Sequence, residues 1–269
     1  MKDCHVHTTL SHDGISSIAD YIAYAPAIGV DEITFTEHYD DYTGLDTKLF
    51  PVNMAEYYDQ YLQNHTNPKV KINFGIEIGL QPHIVNLVNH LTNHYPLDFI
   101  IGSSHITCKK DVGSDPSFFD GYSRKENYLR YFSEVLKNIL SHDQFDVYGH
   151  LDYIVRYGNY AETKIAYQEF QEILDEILKS LIKKGKGIEI NTSGFRYGLG
   201  SAHPNPDIIK RYKELGGQII TLGSDAHKIQ DVCSHFPAVL DMLEQVGYQE
   251  LAIYHHRSPD FIKISEFRK

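Results

Sequence analysis

Ile219-Ile220-Thr221-Leu222-Gly223-Ser224 is a short apolar run that stops at Asp225-Ala226-His227. The same figure recurs along the chain. The opening run ends in His5-Val6-His7, and Glu32-Ile33-Thr34-Phe35-Thr36 meets Glu37-His38. Ile72-Asn73-Phe74-Gly75-Ile76 meets Glu77, Phe99-Ile100-Ile101-Gly102-Ser103-Ser104 meets His105, and Phe145-Asp146-Val147-Tyr148-Gly149 meets His150. Each run reads as a buried strand, because it is short, apolar and bounded by turn formers. In a parallel barrel the C-terminal strand ends converge on one face, and active sites are built there. Imidazoles and carboxylates delivered repeatedly to one face predict a metal site. The number of candidates predicts more than one ion, since one ion needs only three or four ligands.

Between the runs lie helix-like segments. Apolar spacing and end signals predict helices over 16–28, 53–64, 83–94, 123–140, 162–184, 206–215 and 237–246. Ser123 and Glu126 form a capping-box pattern, and Lys183-Lys184-Gly185 is a helix stop. Strands are predicted at about 3–7, 32–37, 70–78, 97–104, 145–149, 187–191 and 218–224. A further run, Leu251-Ala252-Ile253-Tyr254, either closes the sheet or lies outside it. An open doubly wound sheet is the alternative architecture. It would not gather ligands from six strands around one point, so the barrel is preferred.

The chain has 269 residues with 42% hydrophobic content, which suits one sizeable core and a single domain over 1–269. No stretch approaches the roughly 18 apolar residues of a membrane helix. No charged-then-apolar leader precedes Asp3-Cys4-His5-Val6-His7. Cys4, Cys108 and Cys233 lack metal or disulfide spacing, and a reducing cytoplasm fits them best. The formal charge of −11, without basic tracts, argues against a nucleic-acid partner.

On a strand, residues i and i+2 share a face, so His5 and His7 point the same way. With His5-Val6-His7-Thr8, the motifs Ser11-His12-Asp13-Gly14, Thr36-Glu37-His38, Glu77, Ser104-His105, Gly149-His150-Leu151-Asp152 and Gly223-Ser224-Asp225-Ala226-His227 run in order through the chain. Together they resemble the polymerase-and-histidinol-phosphatase (PHP) family of metal-dependent phosphoesterases. Glu189-Ile190-Asn191-Thr192-Ser193-Gly194-Phe195-Arg196 and Arg257-Ser258-Pro259 extend the resemblance to its monofunctional histidinol-phosphatase branch. The resemblance implies a distorted (β/α)7 barrel with the metal site at the C-terminal ends of the strands, which agrees with the seven strands counted. It implies three divalent transition-metal ions. The first would take His5, His7, Glu77 and Asp225; the second Glu77, His105 and His150; the third His12, His38 and His227. Nitrogen and carboxylate ligands suit Zn, Mn or Fe. Glu77, Asp225 and His227 would carry the catalytic role, with Glu77 as the bridge. The implied reaction is hydrolysis of L-histidinol phosphate to L-histidinol and phosphate, in histidine biosynthesis, by a hydroxide generated on the metals. A nucleotide or another small phosphomonoester is the rival substrate, and a metal-binding or regulatory relic is the non-enzyme rival.

No P-loop and no Cys-x5-Arg motif offers another phosphoryl chemistry. A phosphate dianion needs fixed positive charge, and Arg156 and Arg196 follow the fifth and sixth strands closely enough to supply it. Arg257, in the closing motif, is a third candidate. Asp40 and Asp41, read as a loop after the second strand, are candidates for the cationic end of the substrate. Glu37 and Asp13 are expected to orient ligands rather than bind metal. Of 16 histidines seven are assigned to metal. His65, His83, His90, His94, His142 and His235 are expected on the solvated surface and His255 and His256 beyond the site, while His203, after a glycine-rich loop, could approach the substrate.

Overall fold

The computed structural model describes residues 1–162 and 164–268. Seven parallel strands form one sheet in sequence order: β1 (Lys2–Val6), β2 (Glu32–Asp40), β3 (Lys71–Gly79), β4 (Phe99–Ser103), β5 (Val147–Tyr148), β6 (Gly187–Asn191) and β7 (Ile220–Gly223). Just past β7 the sheet curls back to β1. Val6 and Ala226 form a parallel bridge, His7 N–H donates to Ala226 O at 2.8 Å, and Asp225 N–H donates to His5 O at 2.9 Å. The expected seven-stranded barrel is therefore nearly closed. Its strands are buried on both faces, which is why they read as apolar runs rather than alternating ones.

Helices α1 (Ile18–Tyr24), α2 (Met54–Asn64), α3 (Val85–His94), α4 (Arg124–Ser141), α5 (Gln171–Lys183), α6 (Ser193–Arg196), α7 (Pro206–Glu214) and α8 (Phe236–Val246) fill the crossovers and the C-terminal side. Ser123 and Glu126 cap α4 reciprocally, as their spacing predicts, and Ser17 with Asp20 does the same for α1. The α5 prediction starts too early. Ile165 and Phe170 are buried, but residues 164–166 are irregular and Tyr167–Glu169 is one 3-10 turn. Apolar spacing there reports burial without helix. Position 163 of that predicted helix lies outside the described residues.

The run at 251–254 does not join the barrel. Glu250–His255 pairs antiparallel with Ser258–Lys263 in a separate hairpin. Its turn lies beneath β4: His256 N–H donates to Asp98 Oδ1 and Arg257 N–H to Asp98 O, both at 2.9 Å. Asp98 immediately precedes β4, so this is the N-terminal end of the barrel.

Candidate metal and phosphate site

His5 on β1 and His7 just past its end are fully buried, with their Nε2 atoms 2.9 Å apart. Gly223 on β7 makes room for His5, since a Cβ there would sit 2.4 Å from His5 Cβ. Glu77, also fully buried near the end of β3, reaches both sides of the cluster. Its Oε1 lies 2.8 Å from His150 Nε2 and 3.2 Å from His105 Nε2. Its Oε2 lies 3.3 Å from His5 Nε2, 3.4 Å from His7 Nε2 and 3.0 Å from His38 Nδ1. Asp225 Oδ1 stands 3.5 Å from His7 Nε2 and 3.7 Å from His5 Nε2.

Asp225 adopts φ 55°, a left-handed conformation that an aspartate holds at a cost. Arg196 supports it: Nη1 donates to Ser224 O at 2.8 Å and Nη2 to Asp225 O at 2.6 Å. Arg196 lines the cavity, but these donors grip backbone rather than reaching freely toward a ligand. Arg156 is better placed. Its side chain is 4% exposed, yet it lines the cavity, between the rings of Tyr153 and Tyr197.

Among the described residues, three groups each bring their ligand atoms within 4.8 Å of one another: His5–His7–Asp225, His38–Glu77–His105 and His7–His38–His227. His150 joins through Glu77. His12 stands at the edge, its Nε2 4.0 Å from Asp13 Oδ2. That same oxygen lies 3.1 Å from His227 Nε2 and 3.7 Å from His38 Nε2. Asp13 thus points at the spot where the third ligand set converges, instead of standing behind it. Glu37 behaves as expected of an orienting group, accepting from Thr8 N–H at 3.1 Å and from the Ser11 hydroxyl.

This donor set fits divalent cations. Glu77 Oε2, His38 Nδ1, His12 Nδ1 and His150 Nδ1 are buried without an aligned hydrogen bond, and buried polar atoms are normally satisfied. Burial, with His38 and His227 nearby, pushes His7 well below the usual imidazole range, and burial also lowers His12 and His150. Their nitrogen lone pairs are thereby available as ligands. Burial opposes the charge on His38, but Glu77 and Asp13 outweigh it and lift its pKa to about 10. Burial likewise opposes ionisation of Glu77, yet His5, His105 and His38 hold it well below the carboxylate range.

Carboxylates behind the ring fix how the imidazoles face. Glu189 Oε1 accepts from His5 Nδ1 at 2.5 Å, and its other oxygen accepts from His150 N–H at 2.9 Å. Asp40 Oδ1 accepts from His105 Nδ1 at 2.9 Å. In both cases Nε2 is left facing inward. Asp40 is thus a buried residue at the end of β2, not a free loop carboxylate. Asp41 turns away from the cavity, toward Thr43 and His83. Arg257 lies on the far end of the barrel, where its Nε donates to Asp146 at 2.7 Å, and it cannot reach this site. His203 is fully buried behind Arg156, so it does not touch a ligand in the cavity. His142 is also buried, donating to Gln81 O, whereas His65, His83, His90, His94 and His235 are exposed as expected. The orienting role of Glu189 was missed, although its signal was visible. Glu189 and Asn191 interrupt an apolar strand at i and i+2, as His5 and His7 do.

The cavity over this cluster measures about 470 Å³. Asp111, Asp231, Tyr42 and Tyr157 also line it.

The PHP domain family matches residues 3–193 of the chain. The histidinol-phosphatase of Lactococcus lactis subsp. lactis is 32% identical over 255 residues, spanning 94% of this chain and 93% of that protein. The crystal structure of histidinol phosphate phosphatase from that organism, complexed with zinc, L-histidinol and phosphate, superposes with a TM-score of 0.86 at 30% identity, covering 96% of this chain and 98% of that one. A putative histidinol phosphatase from Listeria monocytogenes shares the fold, with a TM-score of 0.75 at 19% identity, covering 88% of this chain and 99% of that one.

Proposed function

The chain belongs to the PHP family, and from that premise we propose that it hydrolyses L-histidinol phosphate to L-histidinol and phosphate. What carries the substrate assignment is likeness over nearly the whole of both chains to a phosphatase solved with zinc, L-histidinol and phosphate. Three divalent ions, zinc, manganese or iron, would supply Lewis acidity toward phosphoryl oxygens and lower the pKa of water toward neutrality. His5, His7, Glu77 and Asp225 would hold the first; Glu77, His105 and His150 the second; His12, His38 and His227 the third. The division of the two Glu77 oxygens between His105–His150 and His5–His7–His38 supports its role as the bridge.

The chain's own residues do the positioning. Glu189 and Asp40 hold the outer nitrogens of His5 and His105, so that both rings present Nε2 to the centre. Arg196 pins the Asp225 backbone. Arg156 offers a guanidinium edge to a phosphate oxygen, a donor that keeps its proton throughout. Asp111, Asp231 and Tyr42 match an ammonium and imidazole leaving group in charge and in aromatic surface. We treat the whole chain as one catalytic unit and place it in the cytoplasm, where Cys4, Cys108 and Cys233 remain free thiols. No helix among the described residues is long and apolar enough to cross a membrane.

A phosphate-release assay on metal-reconstituted protein tests the reading. Histidinol phosphate is expected to give the highest kcat/KM against nucleoside monophosphates and p-nitrophenyl phosphate. A nucleotide as the best substrate would overturn it. Elemental analysis should find more than one transition metal per chain.

A further inference from the structure

Behind Arg156 lies a buried acid–imidazole pair to which the reaction above gives no role. Asp152 Oδ1 and His203 Nδ1 are 2.6 Å apart, and both residues are nearly inaccessible to solvent. The other oxygen, Oδ2, accepts from Asn205 N–H at 2.8 Å. On the far side of the ring, Arg156 Nε lies 3.1 Å from His203 Nε2. Arginine keeps its protons, so Nε donates and Nε2 must accept. The imidazole proton therefore sits on Nδ1, where the Asp152 carboxylate receives it. The ring cannot drift, because His203 N–H and C=O pair with Asn191 O and N–H, each at 2.7 Å.

The rest of the guanidinium is nearly spoken for. Nη2 donates to Ser193 Oγ and to Asp225 Oδ2, the latter at 3.2 Å, and the rings of Tyr153 and Tyr197 flank its plane. Among the described residues Nη1 has no hydrogen-bond partner, and Arg156 lines the cavity. A carboxylate beside an arginine favours a two-pronged fork. Asp225 would draw Arg156 into one if Nε were released.

We propose that Asp152 and His203 are positioning residues for phosphate recognition. They fix the tautomer that accepts Arg156 Nε–H, hold the guanidinium against a fork with Asp225, and leave Nη1 aimed at a phosphoryl oxygen. This rests on the assignment of Arg156 to the phosphate.

Inorganic phosphate is the probe, titrated by calorimetry into metal-loaded protein of verified metal content, alongside KM and kcat for histidinol phosphate. His203→Ala should weaken phosphate roughly 10-fold and raise KM more than it lowers kcat. His203→Gln, whose side-chain oxygen can accept Nε–H, should recover most of the loss. Asp152→Asn should reproduce the loss, because the NH2 that replaces one carboxylate oxygen faces either the His203 Nδ1–H or the Asn205 N–H, donor against donor. In an Arg156→Ala background, His203→Ala should cost nothing further in phosphate affinity, since its effect runs through the arginine. If His203→Ala does not fold, the Gln and Asn variants carry the comparison. Full additivity of the two alanine losses would overturn the proposal. So would wild-type phosphate affinity in both His203→Gln and Asp152→Asn at a site that Arg156→Ala weakens, and histidinol phosphate hydrolysis would then still stand. Unchanged phosphate affinity in Arg156→Ala would instead refute the arginine assignment and this inference with it.

Discussion

The two ends of the barrel use the same residue types in opposite ways. At the N-terminal end, Asp98 accepts from Phe74 N–H and His256 N–H, Asp146 accepts from Ile100 N–H and Arg257, and Glu32 accepts from Asn73, Lys2 and His255. These carboxylates are partnered from within the chain. At the C-terminal end, Glu77 Oε2, Asp40 Oδ2 and three imidazole nitrogens are buried without an aligned partner. For these carboxylates and imidazoles, residue type does not separate the two ends; how fully the chain itself partners them does. A closed network stabilises the fold, whereas an open one gains its partners only from what binds.

The comparison can be broken most sharply at Glu77. Glu77→Gln should lower kcat about 10²- to 10³-fold at matched metal loading, and more than His12→Ala, because Glu77 faces both ligand sets while His12 stands at the edge. Steady-state kinetics on the two variants decide it, and equal losses would mean that the carboxylate does not bridge. Chelation is the next largest effect. Stripping metal should abolish turnover and lower the thermal midpoint by roughly 5–15 °C, with both restored on adding metal back, because a ligand bound only to the folded state stabilises it. A differential scan before and after chelation reads this directly.

At the other end the signs reverse. Arg257→Ala should cost about 2 kcal/mol of stability by leaving Asp146 buried without its cation, while kcat/KM stays within about twofold of wild type. Denaturant titration together with the phosphate-release assay separates the two readouts. The smallest effect is acid sensitivity at Glu32. Burial pushes its pKa up, but Asn73, His255 and Lys2 outweigh this and hold it at about 2, against an ordinary 4.5. Its contribution is thus complete above pH 4.5 and is lost as pH falls through 2. Glu32→Gln should flatten that part of the stability–pH curve.

Most of this architecture is legible in the sequence. Seven apolar runs gave seven strands, because a parallel sheet covered on both faces writes itself as short unbroken apolar stretches. The residues ending those runs were legible as a cluster for the same reason, since parallel strands share one C-terminal face. What stayed hidden depends on antiparallel or through-space relations. The hairpin at 250–263 carries Arg257 to the wrong end of the barrel for catalysis, and no local pattern announces that reversal. Asp40 and Glu189 look like loop and strand charges until His105 and His5 are seen facing them. His203 lies 51 positions from the carboxylate that sets its tautomer.

The closure between the first and last barrel strands sets an order of events in the life of the chain. Asp3 accepts from the backbone of Ser224, 221 positions away, and from that of Cys233. His5 and His7 meet Asp225 across the same seam. Translation therefore makes His5 and His7 first among the four ligands of the proposed first ion, Glu77 next, and Asp225 last, more than two hundred residues after His7. A nascent or truncated chain lacking residue 225 would be without one ligand of the proposed first ion. Contacts this distant are slow to form, so the seam is expected to zip late, with metal capture and ring closure reinforcing one another in the finished polypeptide.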